Sequence, residues 1–314
     1  MRTEHIENSG NVDDVAAIEV IINAGGGSFT EDHTEVLLRE EFARLGLKVN
    51  FSLAASGEEI ISLAEKAAAS YADVIVAGGG DGTINAVATA VASSRKTLGI
   101  LPLGTLNHFS RDLRIPADFA AAVSVIAGEH TTEVDVGEVN GHIFLNNSSI
   151  GLYPRIVRRR EAEQERLGRG RWSAALSAAW RVFLRDPFVK VRIELDDRVF
   201  VRKTPFVFIG NNEYQMDFYN IGSRSRLNGG RLSIYFLHHG GRWGVVMLLV
   251  KTVFGVLRQA KEFETLSTKQ VSLTTRKKRV MIAIDGETRV IESPLDYRIR
   301  PKYLRVLVPR DEAE

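Results

Sequence analysis

The segment with the clearest chemical potential is a run of glycines followed by a carboxylate and a hydroxyl. An apolar strand, residues 73–77, leads into glycines 78–80, and Asp81, Gly82 and Thr83 follow at the expected start of a helix. Glycines let the backbone approach a phosphate closely, and free N–H groups at a helix N-terminus favour anions. Because the Asp81 carboxylate would repel a bare phosphate, the pattern indicates an intervening metal ion or ribose hydroxyl. The alternative is a tight strand–helix turn with Asp81 as its N-cap.

Two further glycine segments predict a shared crevice. Residues 99–107, Gly-Ile-Leu-Pro-Leu-Gly-Thr-Leu-Asn, contain a strand end and precede a helical turn, and residues 23–28, Asn-Ala-Gly-Gly-Gly-Ser, follow the first strand. Ligands of open parallel sheets bind at the carboxyl ends of the strands, so three such loops form one polar crevice. The chain has no G-x-x-x-x-G-K-[ST] phosphate loop, and residues 78–83 lack the G-x-G-x-x-G spacing of dinucleotide folds.

The elements that must position these loops alternate between strand and helix. Apolar runs predict strands at residues 18–22, 47–53, 73–77 and 97–101, and helical spacing predicts helices at 31–45, 58–70 and 84–93. Such alternation is typical of a mostly parallel sheet covered by helices. We therefore predict an α/β domain over residues 16–132, preceded by a disordered leader at 1–15.

From about Thr132 the pattern changes to short β-type runs. They lie at residues 134–139, 142–145, 189–195, 198–201, 206–209, 231–236, 271–274 and 280–284. Asn140-Gly141 and Asp196-Asp197 are typical hairpin turns. Residues 133–295 are therefore predicted to form a β-sandwich or barrel, interrupted by helical insertions at 155–184 and 243–261.

The composition excludes several classes of protein. The chain is 44% hydrophobic and 25% charged, which is ordinary for a globular protein, and its net charge of +2 argues against nucleic acid as a partner. The absence of cysteine excludes disulfides, thiolate zinc sites and a cysteine nucleophile. The first 14 residues contain no apolar signal core, and the apolar run at 244–257 is interrupted by Lys251 and is too short to span a bilayer. We expect a cytoplasmic protein.

Two of these loops together resemble the diacylglycerol kinase catalytic-domain family of lipid kinases. The resemblance lies in Gly-Gly-Asp-Gly-Thr at 79–83 and Leu-Pro-Leu-Gly-Thr-Leu-Asn at 101–107, with Asp285-Gly286-Glu287 as the late acidic motif. It covers nearly the whole chain, roughly residues 20–309. It implies an N-terminal nucleotide-binding domain like those of NAD kinases and phosphofructokinases, followed by a β-sandwich that binds the lipid substrate. It also implies that the C-terminal segment, residues 296–314, returns to the first domain. Gly-Gly-Asp-Gly alone also occurs in those two other families.

The resemblance also implies roles for individual residues. Glu287 would take the proton of the lipid hydroxyl, Asp285 would support it, and Asp81 would organise Mg²⁺ and ATP. The implied nucleotide contacts are Asn23, Ala24, Gly25, Gly26, Gly27, Gly79, Gly80, Gly82, Thr83, Ile84, Asn85, Ala86, Thr105 and Asn107. Phosphoryl transfer needs a phosphate cradle, Mg²⁺ and a carboxylate facing the acceptor, which agrees with this set. Without the upstream loops, Asp285-Gly286 would be interpreted as a plain hairpin turn.

Three positions depart from the family pattern. Ala86 stands where the family usually has Glu, and His108 where it usually has Asp. Gly229 and its neighbour Gly230 replace an Asp-Gly pair that helps to hold a structural Mg²⁺ in the family. Such a metal would depend here on backbone carbonyls near Leu227, Gly229 and Arg231.

A basic segment suggests where a lipid surface would bind. Between Arg155 and Arg171 the chain has seven arginines and three glutamates, and Trp172 and Trp180 follow in an Ala-rich stretch. Basic residues beside aromatics suit the surface of an anionic membrane, here the inner face. The alternative is a solvated, salt-bridged helix face.

The motifs and the resemblance predict an enzyme that transfers the γ-phosphoryl group of ATP to a lipid hydroxyl, with a diacylglycerol-like acceptor and Mg²⁺. Two alternatives stay open. One is a soluble enzyme similar to NAD kinase, and the other is a non-catalytic relative that binds nucleotide or lipid. No motif in the sequence distinguishes one lipid alcohol from another as the acceptor, and none specifies the oligomeric state.

Overall fold

The first part of the chain folds as a helix-covered parallel sheet. The computed structural model describes residues 18–25, 31–151, 154, 188–195, 198–215, 223–224, 226–237 and 263–310. The first elements are β1 (Ile18–Asn23), α1 (Glu31–Arg44), β2 (Val49–Ala54), α2 (Gly57–Ala69), β3 (Val74–Gly79), α3 (Asp81–Ser94), β4 (Thr97–Pro102), α4 (His108–Asp112) and α5 (Phe119–Ala127). Strands β2, β1, β3 and β4 are parallel neighbours in that order.

The rest of the described chain is almost entirely β-structure. Its strands are β5 (Thr131–Val139), β6 (His142–Phe144), β7 (Asn147–Gly151), β8 (Val189–Leu195), β9 (Arg198–Thr204), β10 (Phe206–Asn211), β11 (Tyr214–Gln215), β12 (Ser223–Arg224), β13 (Leu232–Leu237), β14 (Phe263–Thr268), β15 (Gln270–Thr275), β16 (Arg279–Ile284), β17 (Glu287–Glu292) and β18 (Leu295–Leu307). Six of them form an antiparallel sheet in the order β14-β13-β10-β7-β16-β17.

The parallel sheet does not end at the last βα unit. β18 pairs with β4 in parallel through Arg305 and Val306, and its other half pairs antiparallel with β15, which leads to β8 and β9. One mixed ten-stranded sheet therefore runs through both parts of the molecule. The predicted α/β architecture with a C-terminal sandwich is confirmed.

Two hydrophobic cores follow from this arrangement. The first surrounds the parallel strands and includes Val20, Val76 and Ile100. The second fills the space between the antiparallel half of the large sheet and the six-stranded sheet, where Phe144 packs edge-on against Tyr297 at 6.3 Å between ring centroids. Fully buried side chains of this kind contribute about 1.5–3 kcal/mol each to folding. Among the described residues, no helix is long and apolar enough to span a membrane.

Several elements differ from the sequence prediction. Strand β7 was missed because Asn147, Ser148 and Ser149 give it a polar sequence, yet both serines are buried and Ser148 Oγ hydrogen-bonds to Tyr297 Oη at 3.0 Å. α5, β14 and β17 were also not predicted. The hairpin at Asn140-Gly141 is confirmed, with φ angles of 45° and 85°. The predicted leader, the turn at 196–197 and both helical insertions lie outside the described residues.

Candidate active site

The first strand's loop and the loop after β3 meet at the carboxyl edge of the parallel sheet. Asn23 ends β1, and its Nδ2 donates to Thr83 Oγ1 at 3.1 Å across the crevice. Asn23 Oδ1 accepts the backbone N–H of Gly25 at 3.0 Å, which shapes the start of the first loop. Thr83 is buried, and its side chain fills the space that a Cβ at Gly79 would need. Gly26 and Gly27 lie outside the described residues.

The loop after β3 and the loop after β4 approach each other closely through their backbones. A Cβ at Gly104 would lie only 2.4 Å from Gly80 Cα, so a side chain there cannot be accommodated without moving the main chain. Asn107, with φ of 49°, holds the loop in this shape: its Oδ1 accepts from Gly104 N, and its Nδ2 donates to the carbonyls of Pro102 and Gly104. The amide of Asn107 is thus used within its own loop, while Thr105 stands exposed at the tip.

Asp81 lies inside the first turn of α3 and is not its N-cap. Gly80 occupies the N-cap position and makes no side-chain capping bond, so the N-cap interpretation of Asp81 is wrong. Asp81 Oδ1 accepts the backbone N–H of Phe109, the second residue of α4, at 3.3 Å. The half-buried carboxylate therefore faces the crevice between the two glycine loops, at the positive end of the α3 dipole.

The late acidic motif forms a two-residue hairpin turn between β16 and β17. Asp285 and Gly286 have φ angles of 46° and 88°, and Ile284 pairs with Glu287 across the turn. The sequence left open whether this segment is a plain hairpin or an acidic functional motif. The backbone is a hairpin turn, and the same turn brings both carboxylates to the first part of the molecule.

The Asp285 carboxylate is held by four donors. It accepts the backbone N–H groups of Leu145 (2.7 Å), Asn146 (2.8 Å) and Asn147 (2.9 Å), and Nδ2 of Asn85 on α3 at 2.7 Å. Burial raises the pKa of Asp285, and the three backbone donors oppose that rise. With these partners Asp285 is fixed in place, which suits a supporting group.

Glu287 has the opposite environment. Its side chain is 56% exposed, and Oε1 lies 2.8 Å from the point where a Cβ at Gly82 would stand. Arg289 Nη2 is 3.5 Å from its other oxygen. An accessible carboxylate therefore lies against the first turn of α3, one residue away from Asp81.

Three of the predicted nucleotide contacts, Ile84, Asn85 and Ala86, have side chains that are directed away from the crevice. The side chain of Ile84 is fully buried in the first core, Ala86 packs against that core, and the amide of Asn85 is directed to Asp285. Ala24 donates its backbone N–H to Ala54 O at 2.9 Å. At Ile84 and Ala86 a nucleotide could be contacted only through the backbone.

The segment at residues 227–231, where a structural metal would depend on backbone carbonyls, is held by hydrogen bonds. The carbonyl of Leu227 accepts the N–H of Asp135 at 2.8 Å, and Asp135 Oδ2 accepts the N–H of Gly230 at 2.6 Å. The carbonyl of Arg231 accepts the N–H of Asn212 at 3.0 Å. Within the described ranges, no three His, Asp or Glu side chains are placed to hold a metal together.

The sequence reasoning missed a buried arginine that connects these parts. Arg224 Nε donates to Asp112 Oδ2 at 2.7 Å, and its guanidinium also reaches the carbonyl of Leu145 at 2.6 Å. Asp112 and Leu145 lie 112 and 79 positions away from Arg224 in the chain, and no local motif marks these contacts. His108, by contrast, is exposed at the start of α4.

Comparison with known proteins identifies the family. The family model of the diacylglycerol kinase catalytic domain matches residues 17–139, and that of the YegS C-terminal NAD kinase beta sandwich-like domain matches residues 149–308. The chain therefore belongs to the diacylglycerol kinase family, which confirms the predicted lipid kinase. Kinase activity implies ATP as the phosphoryl donor.

Individual relatives agree with this assignment. A diacylglycerol kinase of Staphylococcus haemolyticus is 26% identical over 252 residues, which are 79% of this chain and 74% of that protein. A diacylglycerol kinase of Staphylococcus epidermidis is 30% identical over 173 residues, 54% of each chain.

Solved structures share the fold. A crystal structure of a diacylglycerol kinase from Bacillus anthracis has a TM-score of 0.68 at 20% identity and covers 94% of this chain and 98% of that one. A second structure from the same bacterium has a TM-score of 0.72 at 22% identity, with coverages of 93% and 97%.

Proposed function

We propose that this chain transfers the γ-phosphoryl group of ATP to the hydroxyl of a diacylglycerol, with Mg²⁺ bound at Asp81. The observation that carries the proposal is the accessible Glu287 carboxylate beside the first turn of α3, where it faces the glycine-lined crevice. The acceptor is proposed from the relatives, which are named diacylglycerol kinases.

The crevice suits the phosphates of ATP. The backbones of Gly80 and Gly104 approach closely, and the N-terminus of α3 points into the same space. Free N–H groups at a helix N-terminus favour phosphate oxygens. Phosphoryl transfer is mostly positioning and charge neutralisation, so this arrangement supplies the main requirement on the donor side.

Asp81 fits a magnesium ion. Proteins usually hold Mg²⁺ by one or two carboxylates, with phosphate oxygens and waters completing the octahedron. The Asp81 carboxylate makes one hydrogen bond, at 3.3 Å, within the described part of the chain, so it has lone pairs left for a metal. When bound, Mg²⁺ would neutralise charge on the phosphates.

Glu287 would act as the general base. The acceptor oxygen attacks the γ-phosphorus, the bond to the β-phosphate oxygen breaks, ADP leaves, and the hydroxyl proton passes to the Glu287 carboxylate. Asp285, fixed by its four donors, holds the hairpin turn that presents Glu287.

The test is labelled ATP with separate acceptors: diacylglycerol, a sphingoid base, phosphatidylglycerol and NAD. We expect product with diacylglycerol, and a loss of about 10²–10⁴-fold in kcat for Glu287→Gln because general-base catalysis contributes that much. Glu292→Gln is the matched control, since Glu292 is exposed on the same strand, and it should retain wild-type turnover.

Other outcomes would contradict the proposal. Phosphorylation of NAD alone would assign the soluble NAD kinase reaction instead. Binding of ATP without turnover on any acceptor would assign a non-catalytic relative, and equal activity of Glu287→Gln and the wild type would remove Glu287 as the base.

A further inference from the structure

Arg224 is fully buried, and its guanidinium is surrounded by acceptors from α4, β10 and the connection between β6 and β7. Its side chain is 0% exposed, and besides the Asp112 carboxylate and the Leu145 carbonyl it reaches Asn211 O at 3.1 Å and Asn146 Oδ1 at 2.8 Å. The ring of Tyr214 lies 5.5 Å from the guanidinium carbon. A buried charge with this many partners costs desolvation energy, so its geometry needs an explanation beyond stability.

The acceptors of Arg224 also hold the site. The backbone of Leu145 lies between two charged groups, because its carbonyl accepts from Arg224 while its N–H donates to Asp285. Asn146 is used in the same way, with its side chain on Arg224 and its N–H on Asp285. A displacement of Arg224 would therefore shift the donors that fix Asp285.

Through Asp112 and helix α4, Arg224 is also connected to Asp81 in the glycine-rich segment. Asp112 is the last residue of α4, and the second residue of that helix, Phe109, donates its N–H to Asp81. Asp81 and Asn85 lie on α3, and Asn85 donates to Asp285. Helix α3 connects Asp81 to Asn85 and helix α4 connects Phe109 to Asp112, so the hydrogen bonds and the two helices together close a ring. Its members are Asp81, Phe109, Asp112, Arg224, Leu145, Asp285 and Asn85.

We infer that Arg224 is a positioning residue for phosphoryl transfer, which couples the nucleotide loops to the turn that presents Glu287. This inference rests on the proposed function, since it assumes that Asp81 and Glu287 serve one reaction. Arginine suits the task because its planar fork donates to several acceptors in fixed directions, whereas lysine offers a single compact charge.

The experiment separates positioning from charge balance. Arg224→Met leaves Asp112 charged and buried, so it should lower Tm strongly. The double variant Asp112→Asn/Arg224→Met removes both charges and should recover most of the lost Tm. Arg224→Lys keeps the positive charge but lacks the planar guanidinium, with its several donors in fixed directions. Arg226→Met is the control, since Arg226 is an exposed arginine two positions away.

In the double variant and in Arg224→Lys we expect kcat to fall by about 10²-fold, because small misplacements of reacting groups cost this much. The Kd for ATP should stay near the wild-type value, and Arg226→Met should match the wild type throughout. Hydrogen exchange at the Leu145, Asn146 and Asn147 amides should be faster in the double variant in spite of its recovered Tm.

Wild-type kcat and wild-type exchange in the double variant would overturn the inference, and so would full recovery of kcat in Arg224→Lys. If the wild-type protein transfers no phosphoryl group to any acceptor, the proposed function fails. Amide exchange then still decides whether Arg224 positions the 145–147 segment, since that measurement does not depend on turnover.

Discussion

At the scale of single residues, Asp285 and Glu287 show how two neighbouring carboxylates acquire different roles. Asp285 accepts four N–H groups and is fixed, whereas Glu287 is exposed and directed to the first turn of α3. Their places in the hairpin explain the difference, because Asp285 lies in the turn itself, whereas Glu287 is the first residue of β17 and pairs with Ile284. The environment, not the residue type, makes one a support and the other a candidate base.

The close approach of Glu287 to α3 predicts the effect of Gly82→Ala. The new Cβ would stand 2.8 Å from Glu287 Oε1, and the flexible side chain would move away. We expect unchanged or slightly raised Tm, since alanine favours a helix over glycine by about 1 kcal/mol, with kcat lowered by up to about 10²-fold.

The matched control is Gly57→Ala, at the start of α2, where a Cβ meets nothing within 4 Å. It should show the same small change in Tm with wild-type kcat. Undiminished kcat in Gly82→Ala, measured at saturating ATP, would contradict the placement of Glu287 as the base.

At the scale of elements, β18 joins the two parts of the molecule. It pairs with β5 along most of its length, and the register shifts between Arg300 and Leu304, where Lys302 has a φ of 51°. Asp135 on β5 secures this irregularity by accepting the N–H of Lys302 at 2.8 Å. The bulge lets one strand leave the sandwich and finish beside β4.

The same strand pair predicts a pH dependence of stability. Burial alone would raise the pKa of Glu138, but hydrogen bonds from Arg298 and Arg300 outweigh burial and hold the pKa below its usual value. A depressed carboxyl pKa stabilises the fold above the unfolded-state pKa of about 4.3, and this contribution is lost as pH falls through the folded-state pKa.

In Glu138→Gln, the free energy of unfolding should therefore fall less steeply than in the wild type as the pH is lowered into the acid range. The difference from the wild type should be on the order of 1 kcal/mol near neutral pH, because both arginines are partly exposed. Denaturant titrations at several pH values measure it, with Glu133→Gln on the same strand as control. Parallel curves for Glu138→Gln and the wild type would refute the expectation.

At the scale of the whole molecule, the site is assembled from distant parts of the chain. Asn85 on α3 and Asp285 on the late hairpin turn are 200 positions apart and form a 2.7 Å hydrogen bond. The glycine loops and the candidate base therefore come from opposite ends of the sequence. In the proposed reaction, the acceptor hydroxyl enters the space between them.

We propose that the basic segment between Arg155 and Arg171, which lies outside the described residues, binds the anionic inner face of the membrane. Replacing Arg158, Arg159 and Arg160 by Gln should weaken binding to phosphatidylglycerol vesicles at low salt, by about 1 kcal/mol per residue near the surface. Vesicle sedimentation measures this effect.

A matched triple variant provides the control. Arg276, Lys277 and Lys278 form an exposed basic turn, and their replacement by Gln removes the same charge elsewhere. Equal weakening by both triple variants would indicate non-specific attraction by net charge. If the variant at Arg158, Arg159 and Arg160 binds vesicles as well as the wild type, the membrane proposal is wrong and the alternative, a solvated surface, applies.

The sequence by itself determined the local features of this protein. The three glycine loops, the alternation of strand and helix, and the turn at Asp285-Gly286 are readable because each depends on neighbouring residues: glycine where backbones approach, periodic apolar residues where an element faces a core. The family resemblance in those loops added the expected reaction.

Only the tertiary structure decided which side chains meet. That Asp81 is not an N-cap, that Asn85 and Asn107 are engaged in holding the protein framework, and that Arg224 links α4 to the Asp285 turn depend on contacts between distant segments. Such contacts leave no periodic or local signal, since one buried arginine among 41 basic residues looks like any surface charge until the chain is folded around it.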